Sequence, residues 1–238
     1  MGTLGLFCGL SATAHAQAAD TGGYGAARDA MVDLIVRRGV ADPATLAALR
    51  AVPRHEFVDP ALRNDAYADH PLPIGHGQTI SQPYIVAYMT ELLRPRPGLR
   101  VLEVGTGSGY QAAVLAAAGC DVYSVEIVER LASVARERLH RLGYGSVRVR
   151  VADGYGGWPD AAPFDAIIVT AAAPRVPPAL LEQLAPGGRM VIPTGPTDGT
   201  QRLLLVTKDA GGRVASRRLA PVRFVPLVPD TSGRRGAN

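Results

Sequence analysis

Several residues in this 238-residue chain have types and spacings that can do chemistry. Gly105-x-Gly107-x-Gly109 follows the apolar run Val101-Leu102-Glu103-Val104 and opens a helical pattern. Glycines at such a junction make a tight turn and let a ligand approach backbone amides at the helix start. Alone, the turn fits nicotinamide, flavin and methyl-donor sites, or a bare strand-to-helix turn. Three acids discriminate among these. Glu103 lies inside the apolar run, where a solvated loop carboxylate is a poor reading. A carboxylate there repels a pyrophosphate and suits a cationic amino acid. Glu126 ends the next apolar run, where a carboxylate can take both hydroxyls of a ribose. Asp153-Gly154 follows a third run and can hold an adenine edge. The dinucleotide fingerprint is Gly-x-Gly-x-x-Gly, and here the third glycine comes one residue early. An adenosyl group joined to a sulfonium zwitterion therefore fits better than a dinucleotide.

Upstream, Ser81 stands before Gln82-Pro83, after a loop that Gly75 and Gly77 allow to bend. Its hydroxyl can cap a helix or meet a substrate, and the two roles are compatible. His76 can touch a substrate there, whereas His55 and His70 read as ordinary loop residues.

Composition removes other chemistries. Of 25 basic residues Lys208 is the only lysine, and Asp209 follows it. A P-loop needs Gly-Lys-Ser/Thr, and a Schiff-base enzyme would have to use Lys208, which lies in a polar, turn-like stretch. The two cysteines, Cys8 and Cys120, make no disulfide framework, and the five histidines have no zinc-like spacing, so no metal is expected. The net charge is +4, but the arginines are scattered apart from Arg217-Arg218 and Arg234-Arg235. A nucleic-acid groove would need a clustered stripe, so no nucleic-acid partner is expected. No run of about 18 apolar residues occurs, so neither a membrane-spanning helix nor stable membrane association is expected.

The elements that must position these residues can be read from periodicity. Helical spacing covers Ala26 to Arg38, and Asp42-Pro43 starts a short helix reaching about Ala51. Pro53, Pro60, Pro71 and Pro73 make the following stretch irregular. Another helix runs from the Ser81-Gln82-Pro83 start to Leu93. From Arg100 onward short apolar runs alternate with helices: strands at 101–104, 121–125, 147–151 and 164–170, helices at 110–118 and 128–142. A short helix at 178–184 and a Pro186-Gly187-Gly188 turn lead into a strand at 189–192, and runs at 203–207 and 214–222 form a closing antiparallel pair. The fold class is α/β, a mostly parallel Rossmann-like sheet with helices on both faces, an antiparallel C-terminal edge and an N-terminal helical extension.

The residues also carry a resemblance. Val101 to Tyr110, reading VLEVGTGSGY, resembles the first motif of class I S-adenosylmethionine methyltransferases, and Leu184 to Pro193, reading LAPGGRMVIP, resembles their late Pro-Gly-Gly strand. Leu72 to Tyr84, reading LPIGHGQTISQPY, resembles the signature of the protein-L-isoaspartate O-methyltransferase family, as does Val222 to Leu227. The likeness runs from about residue 26 to 228. It departs at His76, where glutamine is commoner, and at Ala152, where glycine is usual. It implies S-adenosylmethionine as methyl donor and the free α-carboxyl of L-isoaspartyl residues in damaged proteins as acceptor. It implies Ser81 as the catalytic residue. Thr79, Gln82, Glu103, Gly105, Thr106, Gly107 and Gly109 fall where the family meets the donor, together with Glu126, Asp153 and Gly154 from the reading above. Ile80, Ser81, Ala172, Pro174, Val225 and Pro226 fall where it meets the peptide. Two competitors are a methyltransferase with another acceptor and a non-catalytic donor-binding protein.

The organisation expected is a leader or disordered segment at 1–23, an N-terminal extension at 24–98 carrying the acceptor loop, a donor-binding domain at 99–228 and a disordered tail at 229–238, acting as a monomer. Ala14-His15-Ala16 and Ala16-Gln17-Ala18 fit an export cleavage site, but no basic region precedes them. The expected location is the cytoplasm, with export to the periplasm as the alternative.

Overall fold

The computed structural model describes residues 23–230. The leader with its cleavage sites, and the tail from residue 231, lie outside the described residues.

The chain starts with α1 (Gly25–Arg37) and α2 (Pro43–Ala51). The Asp42 carboxylate caps α2, accepting from the backbone nitrogen and the hydroxyl of Thr45, each at 2.7 Å, with Pro43 at the first helical position. The proline-rich stretch expected to be irregular holds two 3-10 turns, Arg54–Phe57 and Pro60–Asp65, and a hairpin of β1 (Leu72–Gly75) and β2 (Gln78–Ile80). The hairpin escapes a periodicity reading because its strands are only four and three residues long. After it comes α3 (Pro83–Leu93).

The main sheet contains β3 (Arg100–Val104), β4 (Asp121–Glu126), β5 (Arg148–Val151), β6 (Phe164–Val169), β7 (Leu184–Thr194), β8 (Gln201–Lys208) and β9 (Val214–Val222). The helices α4 (Tyr110–Ala117), α5 (Glu129–Arg141) and α6 (Pro178–Gln183) connect them. Strand order is β5-β4-β3-β6-β7-β8-β9, parallel up to β7 and antiparallel beyond. This is the expected α/β architecture. β7 begins earlier than expected: Pro186-Gly187-Gly188 lies within it as a bulge, because Phe164 pairs with Leu184 and Ala166 with Arg189.

Strands buried on both faces read as unbroken apolar runs, and β3 and β6 do so because helices cover both sides. Their residues sort by parity. Val101, Ala166 and Ile168 enter one core with α1 to α4, while Leu102, Val104, Ile167 and Val169 enter the other with Leu180 of α6. The N-terminal helices therefore share a core with the sheet. In α5 the buried residues Leu131, Ala132, Ala135 and Leu139 fall on one helical stripe. Lys208 donates to the carbonyls of Leu181 (3.1 Å) and Leu184 (2.8 Å), closing the end of α6.

Candidate active site

The chain order reverses direction between β3 and β6, and ligands of open α/β sheets bind at the carboxyl ends of strands on either side of such a switch. A cleft with about 800 Å³ of open space lies there. Its floor is the glycine turn after β3. Gly109 takes a left-handed conformation, φ +87°, at the start of α4, where a Cβ would come within 3.3 Å of Leu139. Gly109 is therefore required by backbone and packing, and it lies outside the cleft lining. Gly105, Thr106 and Gly107 line the cleft.

Glu126, at the end of β4, faces the same cleft and is buried. Its Oε2 accepts the Gly107 amide at 2.8 Å and its Oε1 accepts the Val128 amide at 3.0 Å. Each oxygen keeps a further lone pair for a ligand hydroxyl. Gly154 also lines the cleft, at a point where a Cβ would collide with Val104 (2.6 Å) and Leu227 (2.9 Å). Asp153 is placed differently from expectation. Its Oδ1 accepts the Tyr155 amide at 2.8 Å and its Oδ2 the Asp230 amide at 2.9 Å, and it does not line the cleft.

Glu103 is fully buried beneath the turn and outside the lining. The Ser124 hydroxyl donates to its Oε2, and Thr106 bonds Ser124 at 2.6 Å, so a polar chain runs from Glu103 to the turn. Oε1 of Glu103 has no partner. Burial raises its pKa to about 8; the Ser124 hydrogen bond opposes the shift and the nearby Glu126 charge adds to it. An orphaned buried carboxylate oxygen, the free lone pairs of Glu126 and the side-chain-free wall at Gly154 fit an adenosyl donor bearing a cationic amino acid group.

A second cleft, with about 1060 Å³ of open space, adjoins the first. Thr79, Ser81, Thr170 and Val225 line both. Ile80 and Pro226 line only the donor-side cleft, and Gln82 only the second. The Gln82 amide is held by Asp69, donating to its carbonyl at 3.0 Å and its Oδ2 at 2.9 Å. Ala172 and Pro174 line neither. Ala172 instead exchanges backbone hydrogen bonds with Val225 (2.8 Å) and Leu227 (2.7 Å), holding Val225-Pro226 against the clefts. His76 is exposed at the hairpin turn, and among the described residues no histidine lines either cleft.

Ser81 is not the helix cap. Gln82 occupies that position. The first-turn amide of Tyr84 is satisfied by Asp69 Oδ1 at 3.0 Å, and Arg38 pairs with the same carboxylate. Among the described residues the Ser81 hydroxyl has no hydrogen-bond partner, and it faces the junction of the clefts. Sequence reasoning missed Thr170, whose hydroxyl donates to the carbonyls of Val104 (3.0 Å) and Gly105 (2.6 Å). Its position at the carboxyl end of β6, beside the switch, was the available signal.

The chain is similar to known proteins over most of its length. Residues 26–232 match the family model described as Protein-L-isoaspartate(D-aspartate) O-methyltransferase. A Protein-L-isoaspartate O-methyltransferase of Opitutus terrae is 59% identical over 204 residues, covering 85% of this chain and 87% of that protein. One of Gloeobacter violaceus is 58% identical over 201 residues, covering 84% and 98%. A solved structure from Plasmodium falciparum, described as a protein-L-isoaspartate O-methyltransferase in complex with S-adenosyl-L-homocysteine, is 28% identical with a TM-score of 0.73, covering 85% of this chain and 99% of that one.

Proposed function

The chain belongs to the protein-L-isoaspartate(D-aspartate) O-methyltransferase family, and on that premise we propose how its residues share the reaction between the two clefts. The reaction is transfer of a methyl group from S-adenosylmethionine to the free α-carboxyl of an L-isoaspartyl residue in a damaged protein. The observation that carries the division of labour is the shared wall: Thr79, Ser81, Thr170 and Val225 face both clefts, so groups seated on either side meet there.

In this reading residues 99–228 hold the donor and residues 24–98 present the acceptor. Glu126 accepts the ribose hydroxyls, Gly105 to Gly107 form the floor, and Gly154 and Leu227 take the adenine side. Glu103 lies beneath the amino acid end and is tied to the turn through Ser124 and Thr106. Asp153 acts indirectly, by shaping the turn that carries Gly154. The donor, when bound, supplies an electrophilic methyl on a sulfonium.

The acceptor carboxylate, with a reference pKa near ~4, is already ionised at neutral pH. No strong base is required, which is consistent with the absence of histidine from both linings among the described residues. What the protein must do is align one carboxylate oxygen and exclude water. The Ser81 hydroxyl donates to the other oxygen and fixes its direction. Val225 gives an apolar wall to both clefts, and Ile80 and Pro226 line the donor side of it. The ester product is a better leaving group than the carboxylate, so the next backbone nitrogen closes a succinimide, whose hydrolysis returns some normal aspartate.

The test is transfer of labelled methyl to matched isoaspartyl and aspartyl peptides. Label in the isoaspartyl peptide alone is expected. Equal labelling of both, or donor binding without turnover, overturns the reading.

We assign the cytoplasm as the compartment, because the donor is made there. Among the described residues no helix is long and apolar enough to cross a membrane. A native amino terminus at Gln17 or Ala19 by mass spectrometry would reverse the assignment. A monomer is supported by the sheet edges: β5 carries Arg148 and Arg150, and β9 carries Arg217 and Arg218. Charged edges oppose strand-to-strand association. Light scattering reads the mass directly, and retention on DNA at physiological salt would challenge the assignment of no nucleic-acid partner.

A further inference from the structure

Beneath the shared wall lies a charge that the mechanism above does not use. Arg54, in the first 3-10 turn, is 0% exposed. Its Nε donates to the Ala66 carbonyl at 2.7 Å and its Nη2 to the Ser81 carbonyl at 2.8 Å. Its guanidinium carbon lies 4.8 Å from the ring centroid of Tyr110, the first residue of α4 and part of the donor-cleft lining. Nη1 of Arg54 and the Tyr110 hydroxyl are both buried without a hydrogen-bond partner. Among the described residues no carboxylate forms an ion pair with Arg54.

A buried cation with carbonyl partners and no carboxylate in direct contact is an expensive way to fill a core. A methionine would fill the space without the desolvation cost. What the guanidinium adds is reach in three directions from one rigid plane. One donor points to the Ala66 carbonyl, one to the acceptor serine, and its central carbon lies over the ring of a residue of the donor cleft. Burial lowers its pKa to about 10, with the nearby Tyr110, Tyr67 and Asp69 opposing the shift, so it keeps its charge at neutral pH.

We infer that Arg54 is a positioning residue for methyl transfer, holding Ser81 of the acceptor wall and Tyr110 of the donor wall at a set separation. The inference rests on the role given to Ser81 above. Transfer needs the acceptor oxygen and the methyl to meet in line, and a displacement of about 1 Å can cost about a hundredfold in rate. Arg54 touches neither reactant; it acts through the backbone of Ser81 and the ring of Tyr110.

The test uses Arg54→Lys and Arg54→Met, each alone and combined with Ser81→Ala. Melting temperature, donor affinity by calorimetry, and kcat and KM for an isoaspartyl peptide are measured where every variant is folded. A packing role would lower the melting temperature and leave kcat of the folded enzyme unchanged. Positioning lowers kcat of Arg54→Met roughly ten- to a hundredfold, with donor Kd and acceptor KM within about threefold of the parent. Arg54→Lys keeps the charge and one donor, so it loses less. In the Ser81→Ala background Arg54→Met costs little more, because the group it positions is gone. An unchanged kcat, an equal loss in both backgrounds, a loss confined to Kd or KM, or failure of both single variants to fold overturns the inference. Ser81→Ala with full activity strikes the Ser81 assignment itself, and this inference with it.

Discussion

Asp69 Oδ1 accepts the Tyr84 amide at 3.0 Å, across fifteen positions of chain, and so caps the helix that starts just after Ser81. This frees the serine from the role its place in the sequence suggests. Asp69→Ala should therefore destabilise the fold by roughly 1–2 kcal/mol, the usual cost of a lost cap with some loss from Gln82 and Arg38. That corresponds to a fall of roughly 2–8 °C in melting temperature for a chain of this size. Ser81→Ala should leave the melting temperature within about 1 °C. Calorimetric scans of the two variants check the contrast, and the reverse order would restore Ser81 as the cap.

The catalytic consequence is read separately. Ser81→Ala should lower kcat by ~ten- to a thousandfold, the effect of one oriented hydrogen bond worth ~1.4–4 kcal/mol in the transition state. Ser81→Thr keeps the hydroxyl and should lose less. Ser81→Asp should be close to inactive, because its charge repels the acceptor carboxylate, yet it should melt near the parent. Initial rates of labelled methyl transfer to an isoaspartyl peptide order the three; an active Ser81→Asp enzyme removes the serine from the mechanism.

Glu126 holds the Gly107 and Val128 amides and has lone pairs left for two hydroxyls. Glu126→Ala should weaken S-adenosylmethionine binding at least ~tenfold, since each charge-assisted bond is worth roughly 1.5–3 kcal/mol. Circular dichroism should show the fold intact. Titration calorimetry giving the parent affinity would take Glu126 out of the donor site.

Glu103 should make stability depend on pH. Burial raises its folded pKa from 4.5 to about 8. Between those values the folded protein holds a proton that the unfolded chain has released, so this contribution to stability is complete below about pH 4.5, declines as pH rises, and is lost above about 8. Glu103→Gln keeps the shape and removes the titration. The parent should therefore lose more stability than Glu103→Gln between pH 5 and 8.5, by on the order of a few kcal/mol. Chemical denaturation across that range measures it, and parallel pH profiles would show that Glu103 is ionised throughout.

The parallel sheet, the glycine turn and the acid that ends β4 were legible in the sequence because each is a local necessity. Val101 to Val104 and Ala166 to Val169 are apolar at every position but Glu103, since strands covered on both faces admit little else. Gly109 is needed at φ +87° whatever lies around it. The block from Gly77 to Pro83 could be recognised, but not its geometry. Tertiary structure alone decided which side chains face the clefts. Asp153 and Gln82 are spent on Asp230 and Asp69, partners far away in sequence. Glu103 drops beneath the turn because strand parity fixes its direction, and Thr170 joins the wall because β6 lies beside β3. Arg54 meets Ser81 across 27 positions of chain. Periodicity reports which face of an element is buried. It cannot report which residue of another element waits there, because that depends on how separate elements pack and on which buried donors and acceptors must then find one another.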